Sequence, residues 1–173
     1  TTSLSKELGV RKLTLLEHIN YLEFGNLITV IKNFRPSIRS ESRKMKKIYP
    51  FHISLSLCFY PQLSEGQIFE SLVCSALNLK KYWREGGKEI DFLMTDQEIL
   101  PMEVKMKEKF DSQDIKHLIY FMKKYNLPKA ILIYAGKEDT LSFDGKTVVL
   151  FPIHKLLFDF GKHTPLLAVN GCI

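Results

Sequence analysis

Cysteine is scarce and scattered: Cys58, Cys74 and Cys172 are the only three in 173 residues, and no two form a CxxC pair. That excludes a disulfide framework and a structural zinc site, and it points to a reducing, cytoplasmic setting. No apolar run approaches the ~20 residues that cross a bilayer, so no membrane partner is expected. The five histidines, His18, His52, His117, His154 and His163, show no metal-ligand spacing. A serine-nucleophile motif is absent, as are repeats and low-complexity tracts. With no Gly-x-x-x-x-Gly-Lys-Ser/Thr loop to cradle a phosphate chain, this segment has no specific ATP site of its own. What remains is 45% hydrophobic content over a length that allows one domain or two small ones.

Acidic chemistry concentrates in Glu89-Ile90-Asp91-Phe92 and Pro101-Met102-Glu103-Val104-Lys105. If Asp96-Gln97-Glu98 closes a hairpin centred on Gln97, antiparallel partners have numbers summing to 194, which sets Asp91 opposite Glu103. The same register pairs Glu89 with Lys105 and predicts Ile90, Phe92 and Met94 on one apolar face with Val104, Met102 and Leu100. Two carboxylates on one face are the usual protein share of a Mg²⁺ site, the rest being water and substrate phosphate. Lys105, two residues past Glu103, sets an ammonium where negative charge develops on a phosphoryl group. Taken alone, Glu-x-Lys is more simply a pair of solvated cross-strand charges contributing about 0.2–1 kcal/mol. The hairpin, Asp91 and Pro101 together favour a metal site in which Asp91, Glu103 and the Val104 carbonyl hold Mg²⁺ or Mn²⁺ and Lys105 positions the water.

Periodicity predicts a helix over 64–79 with Ile68, Phe69, Leu72, Val73 and Ala76 at helical spacing, then strands over 80–85, 88–95 and 99–107. A second helix carries Ile115, Leu118, Ile119 and Met122 and is capped by Asp111 or Ser112. Strands over 130–134 and 147–152 follow. This order of helix, three-stranded meander, helix and strand resembles the core of the PD-(D/E)XK nuclease superfamily, a restriction-endonuclease-like α/β fold. A closer resemblance is to the nuclease-like C-terminal region of archaeal and bacterial AAA-type ATPases. It rests on Lys47-Ile48-Tyr49, Gly66-x-x-Phe69-Glu70, Tyr82-Trp83-Arg84, Glu89-Ile90-Asp91-Phe92 and Pro101-x-Glu103-Val104-Lys105. His52 departs from that pattern, which has an acidic residue there. The resemblance implies a divalent-metal-dependent DNA endonuclease, with Glu70 as a third metal ligand and Gln113 assisting from the second helix. It also implies an ATPase domain upstream on the same full-length chain and leaves an oligomer open. The rival implication is a catalytically inactive nuclease fold that binds DNA or protein and regulates the ATPase. Bland readings stand beside these: Glu70 and Gln113 as solvated helix residues, Gly66 as a helix-start turn.

The first sixty residues read as a helix-turn-helix: a helix from Ser3 to Leu8, a turn at Gly9-Val10, and a longer helix to Phe24 with Leu13, Leu16, Ile19 and Leu22 periodic. Strands over 27–31 and 46–51 form the expected wing. The first helix of a winged-helix domain is missing, so the expected division is a partial winged helix over 1–60 and a nuclease-like domain over 61–173. Residues 1–60 hold 10 Lys/Arg against 4 Asp/Glu and residues 61–173 hold 15 against 15, so the +6 excess is N-terminal. Lys32, Arg35, Arg39, Arg43, Lys44, Lys46 and Lys47 fit a phosphate backbone, and Arg11, Lys12, Thr14 and His18 a groove. A basic loop is also often just a solvated loop, and winged helices serve as protein-contact modules too.

Overall fold

A computed structural model describes residues 2–35, 46–96 and 98–158. Its described residues form six helices around one eight-stranded mixed sheet, ordered β2-β1-β3-β4-β5-β6-β8-β7. The strands are β1 (Ile28–Asn33), β2 (Lys47–Pro50), β3 (Lys81–Glu85), β4 (Lys88–Met94), β5 (Leu100–Lys105), β6 (Lys129–Tyr134), β7 (Asp139–Phe143) and β8 (Lys146–Pro152). The helices are α1 (Thr2–Glu7), α2 (Lys12–Phe24), α3 (Ile53–Phe59), α4 (Glu65–Ala76), α5 (Ser112–Tyr125) and α6 (Ile153–Phe158).

Period-two alternation along the central strands feeds two cores. Ile131 and Ile133 of β6 and Val149 and Phe151 of β8 join Val73 and Cys74 of α4 and Leu156 of α6 on one face. Ala130 and Leu132, with Val148 and Leu150, join Ile115, Leu118, Phe121 and Met122 of α5 on the other. Helices thus cover both faces of the sheet, which explains why β6 and β8 read as continuous apolar runs. Both main helices start where the sequence places a cap. Ser64 and Gln67 form a capping box on α4, and Asp111 with Asp114 forms one on α5. A side chain at Gly66 would meet nothing within 4 Å, so this glycine marks a helix start and not a close approach.

The hairpin register is the predicted one. Phe92 pairs with Met102, Leu93 with Pro101 and Met94 with Leu100, each sum being 194, while Gln97 itself lies outside the described residues. The expected apolar face is broken at one residue. Lys81 pairs with Leu93 but Trp83 with Ile90, so β4 carries one extra residue there. This bulge turns Ile90 to the α5 side beside Leu93, whereas Phe92 and Met94 stay on the α4 side. It also separates Glu89 from Lys105: Glu89 binds Arg84 and Lys47 instead.

The N-terminal third folds as helix, turn, helix and an antiparallel strand pair, with Ile31 opposite Lys47 and Thr29 opposite Tyr49. Its strands do not stand apart as a wing. β1 runs on in parallel beside β3 through Lys32–Lys81 and Asn33–Tyr82, and the Asn33 side chain exchanges two hydrogen bonds with the Arg84 backbone, each 3.0 Å. Ile31 and Tyr49 sit in the same core as Phe92, so one sheet and one core cross residue 60. On α2 the buried residues are Leu15 and Ile19, packed with Val30 and Ile28, while Leu13 and Leu22 face outward. A single strand covers this helix, and an i, i+4 pair is as wide a stripe as that contact takes.

Candidate active site

Asp91 and Glu103 lie on the neighbouring strands β4 and β5, close enough for the Asp91 charge to act on Glu103, and both are buried, 8% and 7% exposed. Where the bulge ends the regular ladder, the Asp91 side chain takes over, its Oδ2 accepting the Val104 N–H at 3.0 Å. Lys105 Nζ donates to Glu103 Oε1 at 2.7 Å. Among the described residues, Glu103 Oε2 is buried with no hydrogen-bond partner. A desolvated carboxylate oxygen left unpaired costs free energy, so its presence needs a reason beyond packing.

The electrostatics follow from this crowding. Burial, reinforced by the Glu70 charge, raises the Asp91 carboxyl above the ordinary carboxylate range against the pull of Lys105, Lys47 and the Val104 N–H. Burial and the Asp91 charge raise Glu103 likewise. Desolvation disfavours the Lys105 ammonium, yet Glu103, Asp91 and Asp114 hold its pKa above the ordinary lysine value.

Two further residues belong to the site. Lys47 of β2 bridges Glu89 and Asp91, its Nζ paired to Glu89 Oε1, 3.9 Å from Asp91 Oδ1 and 5.3 Å from the Tyr82 ring centre. Tyr49, on the same face of β2, donates from Oη to Glu70 Oε2 at 2.7 Å, and burial followed by the Glu70 charge raises its hydroxyl pKa. The alternation Lys47-Ile48-Tyr49 carried this signal, since a strand puts its first and third residues on one face. The sequence reading places both in the wing, because no local pattern shows that β1 and β2 join the central sheet.

Asp91, Glu103 and Lys105 therefore come together. Glu70 approaches Asp91 closely enough to raise its pKa but is held by Tyr49. Among the described residues, no three His, Cys, Asp or Glu side chains group so as to hold a metal ion. Gln113 is exposed, its Oε1 taken by Lys116, away from the carboxylates. Asp114, which no sequence pattern singles out, is buried and bound to Lys107 at 2.9 Å. Of the basic residues expected on nucleic acid, Arg11 and Lys12 are exposed at the start of α2. Arg35 is tied to Glu85 at 3.2 Å and to the Arg84 carbonyl at 2.9 Å, which commits its guanidinium to the fold. Arg39, Arg43 and Lys44 lie outside the described residues.

Nothing among curated proteins or solved structures matches the chain. Residues 62–156, from just before α4 into α6, match the family described as "Domain of unknown function (DUF4143)". That family is typically the C-terminal region of AAA-type ATPases. The match spans Glu70, Asp91, Glu103 and Lys105 and covers more than half of the sequence, so the chain belongs to the DUF4143 family.

Proposed function

We propose that this chain is a divalent-metal-dependent phosphodiesterase acting on DNA, built on a restriction-endonuclease-like core formed by α4, β3–β5, α5 and β6. One observation carries the reading: a buried pair of carboxylates with an unpaired oxygen, Glu103 Oε2, lies beside the Lys105 ammonium. The donor set fits Mg²⁺ or Mn²⁺, hard cations that take oxygen ligands, and Asp91 and Glu103 would hold the ion. When bound, the ion polarises the phosphate and acidifies a water. Lys105 supplies a fixed positive charge at the rim of the pair, offsetting negative charge that grows on the phosphoryl oxygens. Asp91 is oriented by the Val104 N–H, so its carboxylate is aimed before any ligand arrives. The helix-turn-helix face of α2, with Arg11 and Lys12, and the basic segment through Arg39, Arg43 and Lys44 supply the duplex contact. An ATPase domain on the same full-length chain is the partner that the family implies.

A second reading has its own support. Lys105 and Lys47 pair with the acids, and Tyr49 occupies Glu70, as expected of a nuclease fold kept as a DNA-binding or protein-docking platform. Nicking of plasmid and branched DNA in Mn²⁺ separates the two. The nuclease reading expects cleavage that Asp91→Ala, Glu103→Ala and Lys105→Ala each abolish, with metal-induced thermal stabilisation lost in the first two and retained in the third. Stabilisation without cleavage of any DNA favours the platform.

A further inference from the structure

We infer that Lys47 is a resident counter-cation of the Asp91–Glu103 pair, so that a divalent ion and the Lys47 ammonium compete for the same carboxylates. This rests on the metal reading above and extends it to a residue outside the segment that matches the family. Lys47 reaches the site from the outer strand β2, its side chain 20% exposed. It lines a cleft of about 380 Å³ together with Tyr49, Gln67, Glu70 and Ser71.

The two lysines at the site are held differently. Lys105 is hydrogen-bonded to Glu103 at 2.7 Å and has Asp91 and Asp114 as further anions. Lys47 stands 3.9 Å from Asp91, beyond hydrogen-bond distance, and its close partner is Glu89. A doubly charged ion on Asp91 and Glu103 would repel both ammonium groups. Lys47 is the one that can yield, because Glu89 and the Tyr82 ring receive it when Asp91 is taken. The unpaired Glu103 Oε2 is the complementary observation: among the described residues, two lysines leave one buried oxygen of the pair without a partner, a ligand atom that a cation displacing Lys47 would take up.

Calorimetric titration of the full chain with Mn²⁺ alone tests this. Lys47→Met keeps the stem and removes the charge, so Mn²⁺ should bind about tenfold more tightly than in wild type. Lys47→Arg, which keeps the charge, should stay within about twofold of wild type by the same reasoning. Should Lys47→Met fail to fold, Lys47→Gln carries the same expectation. Tighter binding in the neutral variants, or binding in them where wild type shows none, supports the exchange. If wild type binds Mn²⁺ and the neutral variants bind it equally or more weakly, the exchange is overturned while the metal site stands. Indifference of every variant to Mn²⁺ overturns both.

Discussion

Glu103→Gln in metal-free protein is the most direct probe of the buried pair. Burial and the Asp91 charge raise the Glu103 pKa in the folded state, so between the ordinary carboxylate range and that raised value the folded chain retains a proton that the unfolded chain has lost. Stability then falls as pH rises, by up to about 1.4 kcal/mol per pH unit for each retained proton. The contribution is fully present below the unfolded pKa and is lost as pH rises through the folded one. Across roughly two pH units, from about pH 5 to 7, one retained proton amounts to about 2–3 kcal/mol. Glutamine resembles the protonated acid in shape, so the variant should match wild type near pH 5 and gain on it by that amount toward pH 7. Urea denaturation at fixed pH steps with a chelator present measures this, and Trp83, fully buried, is the fluorescent reporter. Parallel pH profiles, or wild type gaining on Glu103→Gln as pH rises, would refute the placement of a desolvated carboxyl at this position.

Other outcomes follow from the same geometry. Replacing Arg39, Arg43 and Lys44 by Ala should flatten the dependence of log K on log salt for duplex DNA by about 0.9 per lost phosphate contact, read by fluorescence anisotropy; an unchanged slope returns that segment to a solvated surface. Tyr49→Phe removes the hydroxyl that serves Glu70 and should cost about 1 kcal/mol in urea unfolding, with no cost expected if Glu70 is solvated. Amides of α2, whose local cluster is the small one of Leu15, Ile19, Val30 and Ile28, should exchange with solvent faster than those of β5, which lies between β4 and β6. Equal protection would mean that α2 opens only with the whole fold.

The central hairpin was legible because its register depends on one number, the centre of the turn, and alternation fixes everything after that. The bulge was not legible: Glu89-Ile90-Asp91-Phe92 contains no glycine or proline, and the extra residue shows only in the β3 partner, where Lys81 and Trp83 skip across it. Strand β7 was also missed, although Asp144-Gly145 is a two-residue hairpin signal and both residues take positive φ, 50° and 70°. Its five residues hold only two apolar positions, Leu141 and Phe143, too few for alternation to register. Helices α3 and α6, seven and six residues long, are too short for periodicity to register. The union of the N-terminal strands with the sheet turns on Asn33, which meets Arg84 fifty-one residues away, and no local pattern encodes such a contact.

Several unfavourable features meet around Asp91 and Glu103. The bulge interrupts the ladder at Asp91, burial raises the pKa of both acids, with the Asp91 charge adding to the rise at Glu103, and Glu103 Oε2 has no partner among the described residues. A stability role explains none of these, because apolar side chains of similar volume beside Met102, Val104 and Leu132 would avoid the desolvation cost, and such replacements of buried charge are often neutral or stabilising. Local irregularity and buried charge gathered at one point of the sheet are features expected of a functional site, and they support the proposed reading. The ion-paired platform accounts for Lys47 and Lys105 but leaves the orphaned oxygen and the bulge without a purpose. The proposed metal reading addresses both: where the bulge interrupts the ladder the Asp91 carboxylate takes the Val104 N–H, and the unpaired oxygen is a ligand atom that a hard cation would take.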